Sequence, residues 1–336
     1  MSSKGLPLRR LDSRLRGNDP SSSLRDYEGQ ANQERKWRFD MAGKSGLKAV
    51  RVVLVLGMVF LTSCAAIKPD EQTRCVKSFD GEPISYNVFG SGDITLVFVH
   101  GWSCDSRYWR EQVPYFAKKY KVVTIDLAGH GHSGQERKIY SVESFGQDVN
   151  AVMEELDAKK VILIGHSFGG EITAETARLA PGRVIGIIGV DTLHNVEESF
   201  SKEEAKRMID GFKKDFRPAV KAFVEQMMVK DVNPELKKWI IDDMSSAPQR
   251  VAISALEEYT TKIENKKMGS VFREIKVPVR CVNADQWPTN PEVNRRYMAS
   301  FDVVIMKGAD HFLMLERPDE FNKLLDSSVK EIILKK

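Results

Sequence analysis

Cysteine is scarce in this chain of 336 residues, which contains only four. None of the four belongs to a Cys-x-x-Cys pair, and no Cys/His grouping has the spacing of a metal site. Cys281 falls in an apolar segment and is expected to be buried and inert. Cys75 and Cys104 could pair in an oxidising compartment, although their spacing alone does not decide it. The cysteine content therefore gives no sign of a metal centre.

Most of the chain also lacks a large excess of either positive or negative charge. The net charge of +4 arises near the N-terminus, since residues 1–40 carry nine Lys/Arg against six Asp/Glu, and residues 41–63 carry three basic residues and no acid. Residues 64–336 are left with a net charge of about −2, so they have no basic bias towards nucleic acid. Residues 1–40 lack apolar periodicity as well and are expected to be disordered.

Long hydrophobic runs are missing too. The run from Val52 to Leu61 has ten residues, which is too short to span a bilayer comfortably as a helix. Lys44, Lys48 and Arg51 precede this run, and small residues follow it. A charged segment, a short apolar segment and small residues before a cleavage point are typical of a secretory signal, here residues 41–63. Because translation from Met41 would give this signal an ordinary length, Met41 is an alternative start.

Leu61-Thr62-Ser63-Cys64 resembles the lipobox of bacterial lipoproteins, in which the cysteine is lipidated and becomes the first mature residue. The resemblance implies that Cys64 is the lipidation site and that residues 64–74 are a tether. It also implies a protein anchored in the cell envelope, on the outer membrane if the host is Gram-negative, because Ala65 follows the cysteine. The alternatives are a plain signal peptide and an uncleaved anchor.

Strands and helices are predicted to alternate from Cys75 onwards. A hairpin over residues 76–89 is followed by apolar strands at 94–99, 122–125, 161–164 and 184–190, with helices at 108–120, 142–156 and 170–179. After a gap, strands at 277–282 and 303–306 and a last helix at 318–334 complete the pattern. This alternation predicts an α/β protein with a mostly parallel sheet covered by helices on both faces.

Residues 195–268 interrupt the alternation, because only helices are predicted there. Ser201-Lys202-Glu203-Glu204 has the capping-box pattern, and Asn233-Pro234 places a cap residue before a first-turn proline. An apolar stripe, which Pro218 could break, fits either packing onto the core or the underside of a lid: Met208, Phe212, Phe216, Val220, Phe223 and Met227. The segment is therefore predicted to be a helical cap inserted into a core of residues 75–194 and 269–336.

Gly165-His166-Ser167-Phe168-Gly169 stands between an apolar strand and a helix. Strand, glycine-flanked serine and helix form the pattern of a nucleophile elbow, a turn so sharp that the serine backbone is strained. The small residues Gly165 and Gly169 let strand and helix pass closely, so the Ser167 hydroxyl projects from the tip. Ser167 is thus the candidate nucleophile.

Three further motifs fit this elbow: His100-Gly101-Trp102, Asp126–Gly134 and Gly308–Phe312 each follow a predicted strand. Together and in this order, the motifs resemble the α/β-hydrolase superfamily, in particular its esterase-like members with a helical cap. The resemblance covers roughly Val76–Leu334. It implies an α/β-hydrolase fold and says little about the substrate.

The resemblance implies a catalytic triad in the chain order Ser167, Asp285, His311. Since an alcohol is a poor nucleophile at neutral pH, Ser167 needs a base, and His311 lies in a loop that can return over the elbow. The histidine in turn needs a carboxylate that fixes its tautomer. Asp285 stands just past a predicted strand, where this fold usually places the acid. Asp191, at the end of the preceding strand, is the alternative acid.

The backbone N–H groups of Trp102 and Phe168 are the implied oxyanion hole. Asn283 stands where relatives often have glycine, a departure that would reshape the turn before Asp285. His130 and His132 have a spacing that could suggest a metal, but no third ligand is apparent, so neither a metal nor a cofactor is predicted.

The predicted function is that of a serine hydrolase that cleaves a carboxylic ester or related acyl small molecule through an acyl-enzyme on Ser167. Hydrolases of C–C bonds, amides, lactones or N-terminal prolines are alternatives on the same triad. A non-catalytic ligand receptor is the alternative from another class, although intact Ser167, Asp285 and His311 argue against it. Serine at the elbow argues against dehalogenase and epoxide-hydrolase chemistry, which use aspartate there.

Replacing the lipobox cysteine tests the membrane anchor. Cys64→Ser should block processing and leave an uncleaved precursor, while the folded domain still acts as an enzyme. Two or more acyl chains hold a protein firmly, since each buried methylene contributes roughly 0.8 kcal/mol. Membrane fractionation with mass spectrometry of the N-terminal peptide is the measurement. Wild-type protein that is soluble, or that keeps unmodified residues before Cys64, would contradict the lipoprotein interpretation.

Overall fold

The computed structural model describes residues 73–198, 201–265 and 268–334. The predicted N-terminal extension, the signal segment and Cys64 lie outside these residues. Within the described ranges, no helix is long and apolar enough to cross a membrane.

In the described part of the chain, eight strands form one sheet in the order β1-β2-β4-β3-β5-β6-β7-β8. The strands are β1 (Arg74–Lys77), β2 (Pro83–Phe89), β3 (Thr95–Val99), β4 (Lys121–Asp126), β5 (Val161–His166), β6 (Val184–Val190), β7 (Val279–Ala284) and β8 (Phe301–Met306). The pairs β1–β2 and β2–β4 are antiparallel, and every other pair is parallel. Because every residue of β3, β5, β6 and β7 is buried, the predicted sheet with helices on both faces is confirmed.

The helices fall into a core set and a cap set. The core set is α1 (Val113–Phe116), α2 (Val142–Glu155), α3 (Gly169–Leu179), α8 (Pro291–Arg295), α9 (Leu313–Glu316) and α10 (Pro318–Leu334). The cap set is α4 (Lys202–Lys214), α5 (Phe216–Gln226), α6 (Pro234–Ser246) and α7 (Gln249–Glu264). Helices α4 to α7 follow one another between β6 and β7 without a strand among them. They are the inserted helical segment that the sequence predicts.

The single helix predicted over residues 108–120 is wrong. The structure has a 3₁₀ turn at Ser106–Trp109 and the short helix α1 instead. Pro114 stands in the first turn of α1, where its missing N–H is tolerated, whereas inside a longer helix it would remove a hydrogen bond. Tyr108 and Trp109 are both fully buried in the 3₁₀ turn.

Two cap helices begin at the predicted caps, α4 after Ser201 and α6 after Asn233. The Ser201 hydroxyl accepts from the N–H of Glu204 at 3.2 Å, and the Glu204 carboxylate accepts from the N–H of Ser201 at 2.9 Å, which completes a capping box. The apolar stripe breaks at Asp215, between α4 and α5, and not at Pro218. Pro218 lies in the first turn of α5, where backbone N–H groups have no partner within the helix.

The described cysteines are unpaired. Cys75 is exposed and Cys104 is buried, so the structure has no disulfide between them. Burial raises the pKa of the Cys281 thiol to about 12, in keeping with the prediction of a buried, inert residue.

The crossing of β5 and α3 leaves no room for side chains at the two elbow glycines. A Cβ at Gly165 would lie 2.3 Å from the carbonyl oxygen of Gly169. A Cβ at Gly169 would lie 2.7 Å from the carbonyl oxygen of Val99 on β3. Both contacts are with backbone, which cannot move aside as a flexible side chain can. The close approach therefore fixes the turn on which Ser167 stands.

Gly165→Ala should lower the free energy of unfolding by about 1–3 kcal/mol, as overpacking of a tight interior typically does. Gly211→Ala, on the exposed face of α4 with open space around it, is the matched control. It should raise the free energy of unfolding by about 0.5–1 kcal/mol, because alanine loses less entropy in a helix. Urea unfolding of both variants checks this contrast, and equal effects would contradict the tight-crossing account.

Candidate active site

Ser167 is held in a strained backbone conformation at the tip of the β5–α3 turn. Its φ is 53°, in the left-handed region that residues other than glycine rarely adopt. The N–H of Ser167 donates to the carbonyl of Val190 at 2.9 Å. Its carbonyl accepts from the Thr192 hydroxyl at 2.8 Å and from the N–H of Gly170 at 2.9 Å. These bonds hold the turn against the end of β6, and the residue lines a cavity of about 250 Å³.

His311 lines the same cavity and is held by a buried carboxylate. Its Nδ1 donates to Oδ2 of Asp191 at 2.6 Å, a distance typical of a hydrogen bond between charged or strongly polarised groups. Oδ1 of Asp191 accepts from the N–H of Ala284 at 2.8 Å and lies 3.4 Å from Nε2 of His194. With Nδ1 engaged, Nε2 of His311 is the nitrogen left to exchange a proton.

The Asp191 carboxylate is only 1% exposed, yet it is arranged to stay ionised. Burial alone would raise its pKa, but the hydrogen bonds and charges of His194 and His311 outweigh burial and hold the pKa well below the usual range. An ionised carboxylate can fix the tautomer of His311 and stabilise its protonated form.

The prediction that Asp285 is the partner of His311 is wrong, and the alternative, Asp191, takes its place. Asp285 is exposed, and its Oδ1 accepts from the N–H of Gly308 at 2.7 Å. The strand register gives the reason. β5 and β6 pair His166 with Val190, so Ser167 and Asp191 leave the sheet side by side.

Strand β7 extends beyond the level at which Ser167 and Asp191 leave the sheet. Val282 pairs with Val190 of β6, and β7 continues to Ala284 before Asp285 leaves it. The predicted strand ended at Val282, and Asp285 was expected in the loop just past it. In the structure Val282 is level with Val190, so Asp285 lies two residues beyond the level at which Asp191 leaves the sheet. The longer strand places that carboxylate past the site, at a turn that it helps to close with Gly308.

Asn283 supports the turn that presents Asp191. Its side-chain oxygen accepts from the N–H of Thr192 at 3.2 Å, and its side-chain nitrogen donates to the carbonyl of Thr192 at 2.9 Å. Asp191 has a φ of 43°, so this turn is strained like that of Ser167. The departure from glycine at Asn283 was visible in the sequence, but its partner was not.

The backbone of His311 is fixed from two sides. Nε2 of His166 donates to the carbonyl of His311 at 2.8 Å, and the N–H of His311 donates to the carbonyl of Met227, just after cap helix α5, at 3.1 Å. Burial, together with the nearby His311, lowers the pKa of His166 to about 3, so its ring is neutral. His166 and the cap thus position the histidine that faces the cavity.

The predicted oxyanion donors lie close to the elbow. The loop carrying Trp102 packs so tightly that a Cβ at Gly101 would lie 3.3 Å from Cβ of Ser167. Among the described residues, the N–H groups of Trp102 and Phe168 donate to no other group. His100 shapes this loop, because its Nε2 accepts from the N–H of Leu127 at 3.1 Å and its Nδ1 donates to the carbonyl of Gly101 at 2.8 Å. Two unpartnered N–H groups beside a nucleophile can bind a developing oxyanion.

The Trp102 side chain joins the core to the cap. Its indole N–H donates to the carbonyl of Ala252 on α7 at 2.8 Å. Its ring packs against three rings of the apolar stripe, with centroid distances of 5.2 to 6.4 Å: Phe212, Phe216 and Phe223. The apolar stripe therefore has both roles that the sequence left open. It packs onto the core, and it forms the underside of a lid, since Phe223 and Met227 also line the cavity.

Among the described residues, no group of His, Cys, Asp and Glu is arranged to hold a metal ion. His130 and His132, whose spacing could suggest one, have other partners. His130 Nδ1 donates to the carbonyl of Ala128 at 3.0 Å, and His132 lies 3.3 Å from the Asp126 carboxylate.

Comparisons with known proteins agree with this fold. A family model described as alpha/beta hydrolase fold matches residues 94–318. A non-heme chloroperoxidase of Streptomyces lividans is 38% identical over 112 residues, which cover 32% of this chain and 41% of that protein. The chain therefore spans less than half the length of that relative.

Two further matches extend over nearly the whole described domain. The pimeloyl-[acyl-carrier protein] methyl ester esterase of Wigglesworthia glossinidia brevipalpis is 25% identical over 263 residues, 74% of this chain and 99% of that protein. The solved esterase of Exiguobacterium antarcticum superposes with a TM-score of 0.69 over 77% of this chain and 100% of its own, at 20% identity. At that identity the structural likeness concerns the fold alone.

Asparagine substitutions at the two candidate acids separate their roles. Asp191→Asn should lower kcat for ester hydrolysis by about 10⁴, by analogy with the serine-protease triad, because the amide no longer fixes the productive tautomer of His311. Asp285→Asn should leave kcat within about twofold, since its amide oxygen still accepts from Gly308. Steady-state kinetics on one ester decides between them, and the reverse ranking would return the role to Asp285.

Proposed function

The chain belongs to the alpha/beta hydrolase fold family and is a hydrolase, and from this premise we propose that it cleaves a carboxylic ester or related acyl substrate through an acyl-enzyme on Ser167. The observation that carries the proposal is the 2.6 Å bond that holds His311 on Asp191 at the cavity of Ser167. A serine, a histidine and a buried carboxylate meeting at one cavity are the parts that acyl transfer needs.

In the first half of the reaction, Oγ of Ser167 attacks the acyl carbonyl while Nε2 of His311 takes the hydroxyl proton. The carbonyl oxygen becomes an oxyanion that the N–H groups of Trp102 and Phe168 stabilise. The protonated His311, stabilised by ionised Asp191, then gives its proton to the leaving alcohol. The C–O bond breaks and the acyl group stays on Ser167.

In the second half, water attacks the acyl-enzyme and passes a proton to Nε2 of His311. Collapse of the second tetrahedral intermediate releases the carboxylic acid and returns the proton to Ser167. No step requires a cofactor. Removing one oxyanion donor typically costs about 3–4 kcal/mol of transition-state stabilisation, so the loop at Trp102 contributes to the reaction alongside the triad side chains.

The cellular part of the proposal is a lipid anchor at Cys64 that holds the domain at the cell envelope. Its support is the lipobox-like Leu61-Thr62-Ser63-Cys64 behind a basic segment and a short apolar run. The substrate would then meet the enzyme at a membrane surface.

Removing the nucleophile tests the chemistry. Ser167→Ala should lower kcat on short p-nitrophenyl esters by about 10⁶, because the triad acts as a unit. Ser246→Ala, at an exposed serine of α6, is the control and should keep wild-type kinetics. Activity of Ser167→Ala within tenfold of wild type would refute the nucleophile assignment. A burst without turnover in the wild type would favour a ligand receptor.

A further inference from the structure

Glu171 is a second carboxyl group at the active-site cavity. It lies four residues after Ser167, in the first turn of α3. The residue is 2% exposed, yet it lines the cavity with Ser167 and His311. None of the steps proposed above uses it.

The carboxyl group of Glu171 lacks the partner that burial normally requires. Its Oε2 is buried and accepts or donates no hydrogen bond in the described part of the chain. The cavity residues around the later part of α7 are apolar or aromatic, among them Leu256, Tyr259 and Ile263. A buried polar atom left unpaired costs stability, so its retention at a cavity wall points to a ligand that supplies the partner.

Charged groups near Glu171 do not neutralise it. Burial raises its pKa to about 8, while Lys262 on α7 lowers it and Glu143 on α2 raises it. The Lys262 ammonium is itself bound to the Glu143 carboxylate at 2.7 Å. Tyr259 also faces Glu171, and its phenol stays neutral because burial raises its pKa further. The free carboxyl is therefore mostly protonated at neutral pH.

The charge of the cavity wall favours a cation over an anion. Among the described residues that line it, none is lysine or arginine. Its acidic residues are Glu171, Asp191 and Glu198, and Asp191 is already engaged by His311. Among the described lining residues, a substrate with a carboxylate at its far end would find no lysine or arginine to pair with, whereas an ammonium group would find the Glu171 carboxyl.

We propose that Glu171 binds an ammonium group at the end of the substrate remote from the scissile bond, so that the preferred substrates are esters of amino acids or amino alcohols. The inference rests on the proposed ester hydrolysis at Ser167. Oε2 accepts the N–H of the ammonium group, and the surrounding apolar wall strengthens the ion pair. Glu171 is thus a specificity-determining residue of the same site.

Ammonium binding must ionise Glu171, which gives the proposal a pH signature. An adjacent cation favours the carboxylate, so binding lowers the Glu171 pKa and releases a proton below about pH 8. The preference for an amino ester should therefore rise between about pH 6 and 8 and then level off, while an alkylammonium group, with a pKa of about 10.4, stays charged.

The test compares matched ester pairs on the intact protein. One series is the 4-nitrophenyl esters of ω-amino acids against straight-chain fatty acids of equal length, and the other is the acetates of ω-amino alcohols against alkanols. In at least one series, the wild-type kcat/KM should be about tenfold or more higher for the amino ester, because its KM is lower. An ω-carboxylate ester of the same length should be the poorest substrate.

Three variants assign that preference to the carboxyl group. Glu171→Leu should lose the preference for the amino ester and show a higher Tm, since an unpaired buried carboxyl is removed. Glu171→Gln should keep the shape, lose most of the preference and abolish its rise with pH. Glu175→Gln, one turn further along α3 and paired with Arg178 outside the cavity, should keep the wild-type preference.

The proposal is overturned if wild type prefers the alkyl esters in both series, or if Glu171→Leu and Glu171→Gln leave the preference and its pH dependence unchanged. The proposed function fails separately, if Ser167→Ala hydrolyses the same esters as fast as wild type. Each preference is a ratio within one variant, so a loss of folded protein does not alter it.

Discussion

The hydrogen bond from Nδ1 of His311 to Oδ2 of Asp191 fixes the arrangement of the active site. It links the loop after the last strand to the end of β6, whose neighbour β5 carries Ser167. The carboxylate stays ionised in the interior because two histidines and a backbone N–H surround it. Without this bond the imidazole could adopt either tautomer, and its Nε2 would not be ready to take a proton.

The cap helps to hold the same arrangement. The carbonyl of Met227, after α5, accepts from the N–H of His311, and the carbonyl of Ala252 on α7 accepts from the indole of Trp102. One contact reaches the loop of the base and the other reaches the oxyanion loop. The cap also supplies Tyr259, which borders the cavity beside Glu171. Cap and core therefore determine both the chemistry and the shape of the binding space.

The sequence predicted the sheet, the elbow and the inserted helices, because strand periodicity, paired glycines and capping residues are local signals. It also singled out Ser167 and His311 as candidates, since each stands in a motif at the end of a strand, and the structure brings both to one cavity. The acid was missed because the choice between Asp285 and Asp191 depends on register: β7 runs two residues past its predicted end. The contacts of Asn283 and the proposed role of Glu171 depend on segments that are distant in the sequence, and hydrophobic periodicity does not predict which of these segments meet.

Reaction of the wild-type protein with a fluorophosphonate tests the central claim most directly, since only an activated serine attacks this phosphorus centre readily. Peptide mass spectrometry should place the adduct on Ser167. Asp191→Asn should slow labelling by roughly the factor by which it slows turnover, because both reactions need His311 in one tautomer. Labelling at another residue, or an equal rate in wild type and Asp191→Asn, would contradict the account.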